Sequence, residues 1–318
     1  MTKIDLNEEM RFNSFFPSCA LVREASDFKA WLEARMKGIG ASDAAVVMGL
    51  SPFKGPVELW GEKTGKIKPA DLSENEAVQW GIRLEPVVAD AYAGKTGKKL
   101  VDLGRHTIII GRVAEFAIAT LDRVIDVQDN PGVLEIKTTG SERQSAWEDG
   151  PPLEYQVQVQ HQLMVTGLKW GEFAVLFGGQ KFGIIRAERN EAFISLLLEK
   201  EAQFWDRVLR DIPPDPRTLD GSESTTRAVK KLFPNDSGEE IALPPGSDGW
   251  DADLVGVKQQ IKLLDEKKSE IENRMRLALG DATWGITPSG VRYQSKTIYR
   301  KEYTVPESTY RELRRLKK

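Results

Sequence analysis

Apolar positions recur at helical spacing early in this chain, gather into short strand-like runs in its middle, and return to helical spacing afterwards. "ASDFKAWLEARMKG" predicts a helix with Phe28, Trp31 and Leu32 as its core stripe. "IGASDAAVVMG" predicts a glycine-rich turn entering a short helix, with Ser42 or Asp43 near its start. "GPVELWGEKTG" predicts a second short helix. "SENEAVQWGIRLEPVVADAYAGKTG" predicts a longer one, with Val78, Ile82, Glu85 and Ala89 at compatible spacings and Pro86 as a kink or a new start. The period then falls to two. "HTIIIGR", "AEFAIATLDRVID" and "GVLEIKTTG" predict strands, the last two joined by the turn-rich "VQDNPG". A helix follows from Leu153 to Val165, then a strand pair, "EFAVLFGG" and "KFGIIRAE", then a long helix from Glu191 to Arg210. Trp80 and Trp147 read as packing residues.

This order predicts an α/β layered fold without the regular repeat of a dinucleotide-binding domain. The proline-rich "DIPPDPRTLDGSEST" marks a boundary. Residues 1–212 then form one domain, 213–256 a linker and a stretch without a readable pattern, and 257–318 a helical, basic C-terminal extension. In that extension Val257, Ile261, Leu264, Ile271 and Met275 follow near-heptad spacing, broken by Lys268. Such a face packs on a partner or within the chain.

Composition narrows the class. The chain has 318 residues and a net charge of -3. That total argues against a simple polycationic DNA binder. It hides an asymmetry: Lys258–Lys318 holds 15 Lys and Arg against 8 Asp and Glu, so the rest of the chain carries -10. Acid clusters are what metal and phosphate-cleaving centres require, so acidity does not exclude a nucleic-acid enzyme. No apolar run reaches the roughly 20 residues of a membrane span. The N-terminal stretch lacks the pattern of a secretory signal. Cys19, the single cysteine, fits a reducing cytoplasm.

The chemistry concentrates on "GVLEIKTTG". Leu134 and Ile136 point to one face of the strand, Glu135 and Lys137 to the other. Asp122 lies thirteen residues before Glu135, and a turn between them makes the strands neighbours. Two carboxylates suit a hard cation such as Mg2+ or Mn2+, which polarises phosphate and acidifies water. The Ile136 backbone carbonyl is a candidate third ligand. Lys137 then orients or deprotonates the attacking water, or stabilises charge on the phosphate. A solvated strand face explains the same spacing without any chemistry.

Further segments sharpen the reading. "LD" at Asp122 with "EIK" at Glu135–Lys137 resembles the PD-(D/E)xK nuclease core. "RMKGIGASD", "ELWGEKTG", "VQWGIRLEP" and "YQVQVQHQLMVTG" follow in an order that resembles the YqaJ-like viral recombinase and phage lambda exonuclease family of PD-(D/E)xK nucleases. The resemblance covers about residues 30–210 and departs at the first acid, where "TLD" replaces a proline-glycine-flanked form. It implies a restriction-endonuclease-like core, a mixed central sheet flanked by helices. It implies that Asp122 and Glu135 bind the metals and that Lys137 serves the water. Glu85 matches the helix-borne acid near the second metal, Arg35 and Ser42 the pair that grips a 5′-terminal phosphate, and Gln158 the glutamine of the helix after the core.

The activity so implied is Mg2+-dependent 5′ to 3′ exonuclease action on double-stranded DNA, with Mn2+ as a substitute. The implied setting is phage or prophage recombination. The implied partners are DNA ends, a single-strand annealing protein and further copies of the chain, commonly in a trimeric ring. A structure-selective endonuclease or nickase, and a non-catalytic DNA-binding scaffold, are the competing readings. Residues alone leave other roles open: Arg35 as a surface residue, Ser42 as an ordinary cap, Glu85 as a partner of Arg83 or Lys63, and Gln158 as a surface amide. His161 reads as a polar helix position rather than a ligand.

Overall fold

The computed structural model describes residues 16, 19–127, 130–302, 304, 307 and 309–316 of the chain. They form two units, Met1–Pro234 and Asn235–Lys318. In the first, β1 (Cys19–Glu24) leads into α1 (Phe28–Arg35), α2 (Ala41–Val47), α3 (Pro56–Lys63) and α4 (Glu76–Thr96). The strands β2 (Lys99–Val101), β3 (Thr107–Gly111), β4 (Ile118–Ala119), β5 (Arg123–Asp126) and β6 (Gly132–Thr139) follow. After a 3-10 segment at Ser141–Trp147 come α5 (Leu153–Thr166), β7 (Trp170–Phe177), β8 (Lys181–Glu188), α6 (Glu191–Leu209) and α7 (Glu223–Leu232).

Five strands form the central mixed sheet in the order β2-β5-β6-β7-β8. β6 and β7 run parallel, with α5 as their crossover, and the other pairs are antiparallel. Alternation along β6 sorts the two faces. Val133, with Phe173 and Val175 of β7, packs on Val159 and Leu163 of α5. Leu134 and Ile136, with Ala174, pack on Val88, Ala89 and Tyr92 of α4. The central strand is thus sealed between two helices. A smaller sheet, β1-β3-β4, abuts the α5 side and carries the chain towards Asp122.

Pro86 sits inside a single continuous α4 rather than starting a new helix. Asn75 caps that helix on the Val78 amide, and Gly97, at φ +69°, ends it in the left-handed region that favours glycine. Only the second half of α4 buries its apolar residues. Val78, Ile82 and Trp80 are exposed, Trp80 by 54%, so its expected packing role fails there, whereas Trp147 is buried. The stripe expected on α1 is also not core: Phe28 and Leu32 are exposed. Trp31 instead stacks on Phe28, lies against His106, and donates to Thr120 Oγ1 at 3.3 Å.

The segment read as a linker, 213–256, contains α7, which packs on α3 within the first unit. Ser224 Oγ accepts from the Gly55 amide at 2.9 Å and donates to Glu58 at 2.6 Å, while Ala228 fills a gap beside Val57 and Ile67. Among its described residues the second unit holds α8 (Ser247–Leu279) and a hairpin of β9 (Trp284–Ile286) and β10 (Arg292–Gln294).

Candidate active site on the central strand

β6 presents Glu135 and Lys137 on the α5 side of the sheet, and α5 answers with two amides one turn apart. Gln158 Nε2 donates to Glu135 Oε1 at 2.6 Å, and Gln162 Nε2 donates to Glu135 Oε2 at 2.7 Å. Lys137 Nζ donates to Glu135 Oε1 at 2.6 Å and to Gln158 Oε1 at 3.1 Å. The same ammonium lies 4.7 Å from the Tyr155 ring centre, a cation–π contact. Glu135, 3% exposed, therefore has both oxygens engaged and one fixed orientation.

Asp122 precedes β5, whose antiparallel register pairs Arg123 with Leu134. Its Oδ2 accepts from the Ile136 amide at 2.7 Å, which places it beside the centre of β6. Desolvation pushes the Asp122 carboxyl well above the usual carboxylate range, and the Glu135 charge pushes the same way. Desolvation would lower Lys137, but the charges of Glu135 and Asp122 outweigh it and raise its pKa. The cluster thus crowds two carboxylates and holds Lys137 as an ammonium at neutral pH.

Glu85 joins through an arginine. Arg123 Nη1 donates to Glu85 Oε1 at 2.6 Å and also to the Asp122 carbonyl, and its Nη2 lies 3.3 Å from Asp102. Neither Arg83 nor Lys63 is the Glu85 partner. Arg83 lies over Trp80, and Lys63 pairs with Asp43.

Arg35 and Ser42 meet where α1 turns into α2. Arg35 Nη2 donates to Ser42 Oγ at 3.0 Å, and its guanidinium lies 4.7 Å from the Trp31 ring centre. Beneath them Lys63 Nζ bonds Asp43 at 2.8 Å and the Arg35 carbonyl at 2.8 Å. Asp43 also accepts from the Gly40 amide at 3.1 Å. Desolvation would raise the Asp43 carboxyl, yet Lys63 and Arg35 hold it down at about 2. Trp31 bonds Thr120, two residues before Asp122, so this corner is tied to the strand that delivers the first acid. α2 packs on α5 through Ala44, Ala45 and Val157, tying the corner to the glutamine helix as well.

The model of the YqaJ-like viral recombinase domain matches residues 30–169. The Bacillus subtilis (strain 168) protein YqaJ, described as uncharacterised, is 35% identical over 261 residues, 80% of this chain and 79% of that one. The chain belongs to the YqaJ-like viral recombinase family. An alkaline exonuclease from Laribacter hongkongensis resembles it in structure with a TM-score of 0.47 at 22% identity, covering 64% of this chain and 100% of that one. A phage-related exonuclease from Haemophilus somnus 129PT has a TM-score of 0.41 at 13% identity, covering 55% and 96%. Membership of this recombinase family supports a nuclease acting on DNA.

Several residues of this family member's site carry no assignable role in the sequence alone. Gln162 shares a helical face with Tyr155 and Gln158, and that spacing is its signal. Arg123 adjoins Asp122, but nothing in the sequence pairs it with Glu85. Asp43 and Lys63 stand twenty residues apart, and no pattern announces their buried pair. His161 is more than a polar helix position. Fully buried, its Nδ1 lies 2.7 Å from Glu201 and its Nε2 2.9 Å from the Ile118 carbonyl, joining α5 to α6 and β4.

Proposed function

We propose that the chain is a Mg2+-dependent 5′ to 3′ exonuclease on double-stranded DNA ends, leaving 3′ single strands for recombination. The observation that carries this reading is the Asp122–Glu135–Lys137 cluster, braced by Gln158 and Gln162. Its donor chemistry fits a hard cation. Asp122, Glu135 and the Ile136 carbonyl all offer oxygens, and burial first, then the neighbouring Glu135 charge, raises the Asp122 carboxyl. Among the described residues no set of three His, Cys, Asp or Glu side chains is grouped to hold an ion. Two carboxylates completed by water and substrate phosphate is the usual Mg2+ arrangement. Glu85, beyond Arg123, is the candidate second contact.

Bound Mg2+, or Mn2+ in its place, supplies Lewis-acid polarisation of the scissile phosphate and a more acidic water. Lys137, bonded to Glu135 and Gln158, would orient the attacking water and offset charge on the phosphate. Gln158 bonds both the ammonium and the Glu135 carboxylate and so fixes one against the other. Arg35 offers a planar fork to a 5′-terminal phosphate, with the Ser42 hydroxyl beside it. The same reading includes a ring-forming homo-oligomer, commonly trimeric in the family, and a single-strand annealing partner. It includes phage or prophage origin with action in the bacterial cytoplasm. Among the described residues no helix is long and apolar enough to cross a membrane.

A time course on duplexes labelled separately at each end, with and without Mg2+, tests this. Mg2+-dependent release from 5′ ends, faster with 5′ phosphate than with 5′ hydroxyl, is the expected result. Cutting of covalently closed duplex would replace it with the endonuclease reading. Binding with no cleavage at any Mg2+ concentration would leave only a scaffold.

A further inference from the structure

The 33 residues of α8 make a rod of about 50 Å, and none of them is buried among the described residues. Its apolar positions are nevertheless ordered. The seam Val257, Ile261, Leu264, Ile271 and Met275 extends backwards to Trp250 and Leu254 at alternating steps of three and four. Leu254, Ile261, Lys268 and Met275 then occupy the a positions of a heptad, and Trp250, Val257, Leu264 and Ile271 the d positions. Ile261 is 52% exposed and Leu264 68%. A stripe this regular has the spacing of a coiled-coil seam, and a free helix gains nothing from it in water.

The flanking charges name the occupant. Laid parallel and in register on a copy of itself, each g position faces the e position five residues on in its neighbour. Asp253 then meets Lys258, and Lys267 meets Glu272, both attractive. Gln260 with Asp265 and Arg274 with Leu279 are neutral, and no like charges face each other across these flanks. Lys268 is the single charged residue in the seam. Such a residue lowers stability but fixes register, because any slip would set its ammonium against an apolar layer.

We propose that α8 associates with α8 of other copies of this chain as a parallel, in-register coiled coil. The inference does not rest on the nuclease chemistry, but it gives the homo-oligomer of the proposed function one interface. In the full chain with Cys19→Ser, Leu264→Cys places identical d positions side by side, and mild oxidation should give a covalent two-chain product. Leu263→Cys, at an outer c position, should not. The mass in solution by light scattering should fall by a whole-number factor in Ile261→Glu/Leu264→Glu. Those side chains are exposed, so the fold should persist by circular dichroism. Lys258→Glu should weaken association, and Asp253→Lys/Lys258→Glu should restore it. An unchanged mass in the double glutamate variant would overturn the proposal. So would equal cross-linking at 263 and 264, or capture of the seam by the chain's own catalytic unit or by an annealing protein in place of a second copy.

Discussion

Glu135 accepts from Lys137, Gln158 and Gln162 at once, so its chemical and structural roles can be separated by choice of substitution. Glu135→Ala strands the buried Gln162 amide and the half-buried Lys137 ammonium and Gln158 amide, and breaking such a pair costs up to about 3–5 kcal/mol when it is fully buried. Glu135→Gln keeps an acceptor oxygen and the side-chain volume. Both variants should lose activity by on the order of 10²-fold or more, the scale of removing one electrostatic contact at a reacting phosphate. Melting midpoints should fall in the order wild type, Glu135→Gln, Glu135→Ala. A Glu135→Gln enzyme digesting duplex at the native rate would remove the carboxylate from the chemistry. His161 gives a prediction in pH. Burial alone would lower its pKa, but Glu201 and the Ile118 carbonyl outweigh burial and raise it above its ordinary 6.5. The fold favours the protonated ring, so this stabilisation is complete below pH 6.5 and is lost as pH rises through the folded value. Denaturant titrations across roughly pH 5.5–9 should show the native chain losing more stability than His161→Gln on the alkaline side. Parallel profiles would exclude the effect.

Elements differ in how far they could be read from the sequence, and the reason is what covers them. β6 was legible because Leu134 and Ile136 keep one face apolar while Glu135 and Lys137 make the other charged, so the period of two survives although both faces are covered by helices. Glu135, Lys137 and Gln158 fall at fixed places on regular elements, whereas Asp122 lies just before β5 and was legible through its spacing to Glu135 and the resemblance to a known nuclease core. α4 misled because its apolar spacing continues beyond the part that lies on the sheet. α7 was hidden because its anchors are polar, Ser224 and Thr225 set against Gly55 and Glu58, and hydrophobic periodicity does not register such contacts. The start of β6 carries its own test. A Cβ on Gly132 would lie 2.7 Å from the Trp170 ring. That ring is held by Arg186 at 3.8 Å on its face and by its Nε1 bond to the Asn130 carbonyl at 3.2 Å. Gly132→Ala should therefore cost about 1–3 kcal/mol, the usual penalty for overpacking. Its melting midpoint should drop by several degrees, and a midpoint equal to wild type would mean that Trp170 yields freely.

At the scale of the molecule, the chain divides into two units after Pro234. Asp122, Glu135, Lys137, Arg35 and Ser42 all lie in the first unit, together with α7, which a cut at the proline-rich boundary would remove. A chain ending at 234 should fold and cleave duplex, whereas one ending at 212 should melt earlier for want of α7. Lys258–Lys318 carries a surplus of 7 positive charges. If some of these neutralise phosphates, removing 235–318 should flatten the dependence of duplex affinity on salt by about one unit of slope for each phosphate left unneutralised. An unchanged slope would place those charges away from DNA. That surplus was legible as composition, but the division at 234 was not, because the proline-rich stretch resembles a domain border and is instead a loop leading to one more packed helix.

The Arg35 guanidinium rests 4.7 Å from the centre of the Trp31 ring, close enough for its charge to act on the excited indole. An anion drawn to Arg35 changes the field at that ring, and indole emission responds to field in both wavelength and yield. The corner proposed to hold the DNA end thus contains its own optical reporter. The chain has 8 tryptophans, so the signal is the difference between the native protein and Trp31→Phe. Titrating 5′-phosphorylated duplex without divalent metal should move that difference spectrum, and 5′-hydroxyl duplex should leave it still. Occupancy of the end can then be followed in real time, before any bond is cut.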